Sequence, residues 1–152
     1  MQSELTTSPV EIVDVPERLA AVVRKRVPMS DIPDAQRRAR STLARALEAA
    51  DMTPLGPTLT VWRMPEGGSM DYAPGVFVTK PLETGGDVSS MTLPAGRAAH
   101  LRLSGPYEGL PDAWGRLFRG CAGNDLAGTN WEVYTEQDGP SGPQTDLYAL
   151  LA

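Results

Sequence analysis

Apolar positions along the chain follow two periods. In Val10–Val15, Leu59–Met64, Gly75–Leu82, Asp87–Pro94, Gly96–Leu103, Asn130–Gln137 and Thr145–Leu151 they alternate or run together over six to eight residues, bounded by Gly, Pro and Asp clusters. That is the pattern of β-strands. "RLAAVVRKRV" (Arg18–Val27) reads as a further strand, joined to the first by a Pro16-Glu17 turn, and the strands around Pro94-Ala95-Gly96 read as another pair. Two stretches repeat at helical spacing instead. Over residues 30–51, Ile32, Ala35, Ala39, Leu43, Ala46, Leu47 and Ala50 share a face, with Ser30 or Asp31 as cap and Pro33 in the first turn. Over residues 107–121, Leu110, Ala113, Trp114, Leu117, Phe118 and Cys121 do the same. The first eight or so residues form a loose polar lead-in, and "PEGGSMDYAP" and "DGPSGPQ" read as loops.

The elements run strand, strand, helix, strand, strand, and then repeat. "VPERLAAVVR" at Val15 aligns with "LPAGRAAHLR" at Leu93, an offset of 78 residues, and with gaps Val61-Trp62 aligns with Val133-Tyr134. The period exceeds that of solenoid repeats. The expectation is an α+β fold: duplicated ββαββ units with pseudo-twofold symmetry, an antiparallel sheet and two helices flanking a ligand groove. Residues 1–152 are then a single domain, with a lead-in over 1–9 and pseudo-repeats at about 10–82 and 87–151.

A length of 152 residues supports one core, and 41% hydrophobic and 22% charged residues are ordinary for a globular chain. The net charge of −5 argues against binding nucleic acid by general electrostatics. Eight of the fourteen Lys and Arg lie between Arg18 and Arg45, and Arg37, Arg38 and Arg45 fall opposite the apolar stripe of the first helix as a solvated face. One cysteine, Cys121, and one histidine, His100, exclude an intrachain disulfide and a zinc site of the usual kind. No run reaches the roughly 20 apolar residues of a membrane span, and the N-terminus has no secretory pattern. A cytoplasmic location is expected.

Strand alternation puts Glu132, Tyr134 and Glu136 on one face and Trp131, Val133 and Thr135 on the other. A carboxylate among aromatics is either an edge-strand residue or the floor of a binding site. The duplicated unit, the "GPYEGL" at Gly105–Leu110 and the "WEVYTE" at Trp131–Glu136 resemble the GyrI-like small-molecule-binding domain, also called the AraC or bacterial regulator effector-binding domain, over roughly Val10 to Leu151. The resemblance implies two α/β halves around a ligand groove, and a Glu-x-Tyr whose Glu pairs with cationic aromatic ligands. Here those residues are Glu132 and Tyr134. Related bacterial members regulate transcription through an added DNA-binding domain, bind DNA gyrase, or hydrolyse reactive cyclopropane natural products, and haem-binding SOUL proteins share the architecture. About nine residues precede the first strand, too few for a helix-turn-helix. Direct DNA binding by this chain is therefore not expected.

Trp62, Tyr107, Trp114, Tyr134 and Tyr148 are the candidate walls around Glu132, with Trp62 expected at the symmetry-related place. Plain core packing is the alternative for Trp114, and ordinary core filling is the reading for Met64, Met70 and Met91. Aromatic faces offset the cost of burying a cation by ~0.5–2 kcal/mol per contact. Glu108 suits the positive end of a helix dipole. His100 beside Arg102 reads as a surface position rather than a haem ligand, and Cys121 as a core residue. No cofactor or metal is expected. Three functions follow: a module that senses or sequesters amphipathic, cationic small molecules; a hydrolase with Glu132 as general acid or base; or a protein-interaction module that uses the basic helix face on gyrase or another partner.

Overall fold

The computed structural model describes residues 6–64, 67–82, 87–139 and 142–152. Its strands are β1 (Thr6–Thr7), β2 (Glu11–Val15), β3 (Arg18–Val23), β4 (Lys25–Pro28), β5 (Thr58–Trp62), β6 (Ser69–Phe77), β7 (Val88–Leu93), β8 (Gly96–Ser104), β9 (Leu126–Gly139) and β10 (Gly142–Leu151). The helices are α1 (Ile32–Ala49) and α2 (Leu110–Gly120), each entered through a short 3-10 turn. The chain divides into two compact units. One is Pro16–Ala95; the other joins the described residues up to Val15 to Gly96–Ala152.

In the α1 unit the strand order is β5-β6-β3-β7, with β4 extending beside β6. In the α2 unit β9 pairs with β10, β10 with β8, and β8 with β2 and β1. These pairs are all antiparallel. The register repeats as well. Val22 faces Gly75 where His100 faces Tyr148, and one step along, Thr60 faces Pro74 where Glu132 faces Leu147. Thr60 therefore holds the place of Glu132, and Trp62 that of Tyr134.

Two pairings differ from expectation. β2 leads directly into β3, and β7 into β8, yet neither forms a hairpin: β2 pairs with β8 and β7 with β3. The connections are Pro16-Glu17 and Pro94-Ala95. Tight two-residue hairpins need positive φ at a central position, which proline cannot supply. The chain therefore continues instead of folding back.

Other bounds also move. Arg24 interrupts the long strand read from Arg18, and β6 begins at Ser69, inside a segment read as a loop. Pro74 is tolerated within β6 because it sits where the strand passes from β3 to β4, between the pairs Val22–Gly75 and Lys25–Tyr72. Thr6 and Thr7, read as lead-in, pair with Ser104 and Leu103, and Ser8 Oγ accepts from Arg102 N–H at 2.9 Å. Helix α1 ends two residues early. Asp51 adopts φ 54°, and Met52 N–H closes on Leu47 O at 2.9 Å. That is a Schellman stop with Asp in the usual glycine place.

The stripe on α1 buries Ala39, Leu43 and Leu47 against Ala21, Val23, Val76, Val78 and Val88. Gly75 sets how closely β6 approaches β3, because a Cβ there would stand 2.6 Å from Val22 Cγ1 and 2.7 Å from Ala21 O. Helix α2 lies on β8 and β10 and buries Ala113, Trp114 and Leu117. Among the described residues no helix is long and apolar enough to cross a membrane.

Candidate functional site

The "GPYEGL" segment works through its backbone. Gly105 has φ 131°, a region other residues avoid. Its N–H donates to Pro143 O at 2.8 Å, and Pro106 is held extended at φ −61°, ψ 152°. The chain then turns into the 3-10 turn Tyr107–Gly109, which leads into α2. This places Tyr107 at the mouth of the helix, 40% exposed, with its ring edge-on to Tyr134 at 5.8 Å.

About two and three turns further on, α2 presents Trp114 and Phe118, stacked at 5.6 Å. Trp114 is buried, and its indole N–H donates to Glu132 Oε1 at 3.2 Å. Strand β9 supplies the other clasp, with Tyr134 O–H donating to Glu132 Oε2 at 3.0 Å. Between Val133 and Glu136, β9 advances three residues while β10 advances two, from Asp146 to Gln144. The extra residue is a bulge at Tyr134–Thr135, a feature that re-aims side chains. Glu132 is half-buried. The indole N–H and the phenol O–H are neutral donors, so they orient the carboxylate and add no charge of their own.

The α2 unit thus brings together Glu132, Tyr134, Tyr107 and Trp114. Trp114 is a buried core residue whose indole N–H also reaches Glu132. Tyr148 is a correction. It pairs with Trp131, not Glu132, and stacks on the Trp131 ring at 5.3 Å, on the face of β9 and β10 turned away from Glu132. Trp62 belongs to the α1 unit, buried at the end of β5 and paired with Tyr72.

The chain matches the model of the GyrI-like small molecule binding domain over residues 8–150. It belongs to that family. No curated protein sequence matched. Among solved structures, the GyrI-like domain is similar to EcmrR. The EcmrR C-terminal domain has 17% identity and a TM-score of 0.77, covering 97% of this chain and 98% of that one. EcmrR in a DNA complex has 18% identity and a TM-score of 0.81, covering 95% of this chain, which spans 57% of that longer protein. SAV2435, solved with tetraphenylphosphonium, has 12% identity and a TM-score of 0.68, covering 95% and 94%. A hydrolase encoded by lin2189 from Listeria innocua has 12% identity and a TM-score of 0.64, covering 95% and 92%. At these identities the likeness is one of fold.

Two polar clusters were not foreseen. On the far face of β8 and β10, the buried Asp146 carboxylate receives His100 Nε2 at 2.7 Å and both Arg102 Nε (3.0 Å) and Nη2 (3.1 Å). His100 is therefore a partnered, largely buried residue, not a surface one: its ring lies 5.0 Å from Tyr148. Burial opposes ionisation of Asp146, but the hydrogen bonds from His100 and Arg102 and their charges outweigh it, so the pKa falls from 3.8 to about 2. A depressed carboxyl stabilises the fold above its unfolded pKa, and that contribution fades as pH drops toward about 2. The difference corresponds to about 2 kcal/mol. Asp146→Asn is expected to cost that much at pH 6, with the gap between variant and wild type closing between pH 4 and 2 in urea titrations. A gap that stays constant with pH would contradict this account.

The second cluster surrounds Arg40, on the flank of α1 beside the apolar stripe. Its guanidinium donates to Gly75 O at 2.8 Å, to Leu59 O at 2.9 Å and to Thr60 Oγ1 at 3.4 Å. The Gln36 amide is assigned with its oxygen toward Arg40 Nη2 (3.1 Å) and its nitrogen toward Tyr72 Oη (3.0 Å), the orientation that satisfies both neighbours. A lone arginine among eight basic residues carries no sequence signal that it turns inward.

Proposed function

We propose that this GyrI-like domain binds amphipathic aromatic cations at Glu132, with Tyr134, Tyr107 and Trp114 as the aromatic surround, and that residues 1–152 act as one ligand-binding domain in the cytoplasm. The observation that carries the reading is the clasped carboxylate. Trp114 and Tyr134 fix both Glu132 oxygens in one orientation within an aromatic cluster that includes an exposed ring, Tyr107. A preset anion beside ring faces suits a flat or propeller-shaped lipophilic cation, which needs a counter-charge and broad apolar contact rather than a set of directional donors. Tetraphenylphosphonium, present in the SAV2435 structure, has this chemistry.

The test is equilibrium binding of tetraphenylphosphonium against triphenylphosphine oxide, a neutral molecule with similar rings, followed by tryptophan fluorescence. The cation is expected to bind at least 10-fold more tightly. Equal affinities would remove charge as the selector. Binding with loss of ligand over time, on a strained electrophilic substrate, would move Glu132 to the role of general acid or base.

A further inference from the structure

The basic residues of α1 do more than face solvent. Arg38 and Arg45 stand two helical turns apart, about 10 Å along the axis, on the rim of a cleft of about 530 Å³ between α1 and the strands β3, β4 and β6. The floor is apolar: Val23, Val27, Ala35, Ala39 and Pro74. Other rim charges are already paired, Lys25 with Asp87 at 3.3 Å and Arg37 with Asp34. Arg38 and Arg45 make no hydrogen bond or ion pair among the described residues. Among the described residues, Asp31 is the only carboxylate on the rim besides Asp87. Among those residues the cleft thus sets two guanidinium groups, Arg38 and Arg45, against one unpaired carboxylate, Asp31, on a chain whose net charge is −5.

We infer that this cleft is a second ligand site, for a small amphipathic anion: an apolar or aromatic body on the Val/Ala/Pro floor, and a phosphate or carboxylate head at Arg38 and Arg45. Three observations favour a small molecule over a polyanion. The volume lies in the range of small-molecule pockets. The floor is mainly apolar, with Tyr72 beside it, and a sugar-phosphate backbone does not use such contact. And the chain as a whole repels an extended anion. Guanidinium forks bind phosphate and carboxylate heads through paired N–H donors. Ser41 and Thr42, between the two arginines, add hydroxyls to the same rim.

The probe is 1-naphthyl phosphate, measured by calorimetry beside 1-naphthol and inorganic phosphate. Naphthyl phosphate is expected to bind more tightly than either control and to weaken as salt is raised, since exposed charges are screened over about 8–10 Å. Arg38→Gln with Arg45→Gln is expected to lower its affinity at least 10-fold, and each single change by part of that. Both side chains are exposed, so folding is not at stake. Tetraphenylphosphonium binding in the double variant is expected to be unchanged, which separates this site from the one at Glu132. The inference is overturned if naphthol binds as well as naphthyl phosphate, if inorganic phosphate alone matches it, or if the double variant binds normally. Duplex DNA that displaces naphthyl phosphate at physiological salt through the same arginines would also overturn it, by assigning them to nucleic acid.

Discussion

Replacing Glu132 by Gln is expected to weaken tetraphenylphosphonium binding roughly 10- to 150-fold and leave triphenylphosphine oxide almost unaffected. The change keeps the shape of the side chain. The amide oxygen can still accept from Trp114 Nε1, and the amide nitrogen can donate to Tyr134 Oη, whose hydroxyl rotates to accept. The clasp survives while the charge is lost. A charge-assisted contact in a poorly solvated site contributes about 1.5–3 kcal/mol, and that is the stated range in affinity. Fluorescence titration of both ligands against both proteins separates the outcomes. If cation and neutral molecule lose affinity equally, the cluster has been disturbed and the charge is not the selector. If neither changes, Glu132 is a carboxylate held for structural reasons.

Arg40→Met is expected to lower stability by about 3 kcal/mol, read as a drop in the urea midpoint at constant slope. Methionine keeps most of the aliphatic stem, so the loss reports the guanidinium. That group joins the carbonyls of Leu59 and Gly75, which face each other across β5 and β6, and also reaches the fully buried Thr60. Hydrogen bonds from a charged donor contribute about 1.5–3 kcal/mol each before context reduces the sum. Arg40→Lys is expected to recover only part of the loss, because one ammonium cannot reproduce a planar fork spanning two carbonyls. A loss below about 1 kcal/mol for the methionine variant would show that the strands hold their register without it.

The strands and helices were legible in the sequence because each buries one face, and burial writes a period of two or of about 3.6 into the apolar positions. Pairing was much less legible. Val13 meets Ala98 and Ala20 meets Met91, and no local pattern encodes contacts at that separation. The same gap explains the site. Glu132 and Tyr134 could be placed on one face from strand parity alone. Tyr148 could not, because the face it shares depends on register with β9, and a shift of one residue reverses it. Trp114 sat on an apolar stripe that predicts burial and is silent about an indole N–H aimed at a carboxylate. Arg40 was read with the basic residues generally and Arg102 as a surface neighbour of His100, and only the third dimension shows that Arg40 turns under its helix while Arg102 shares a buried acid with that histidine.

The interchange of first strands has a consequence for the order in which the chain is made. Pro16–Ala95 contains every strand of the α1 unit in one unbroken stretch, so that unit has all its partners once Leu93 has left the ribosome. β2 is in a different position. Its partner Ala98 is translated eighty-five residues after Val13, roughly 4–17 s later at common elongation rates. Throughout that interval β2 has no partner in β8, and the unit it is tethered to gains its last strand only at Leu93, shortly before Ala98 is made. Its alternation of Glu11 and Asp14 with Ile12, Val13 and Val15 fits that wait, because two acidic residues in a five-residue strand discourage pairing with a wrong edge while the right one is still being synthesised.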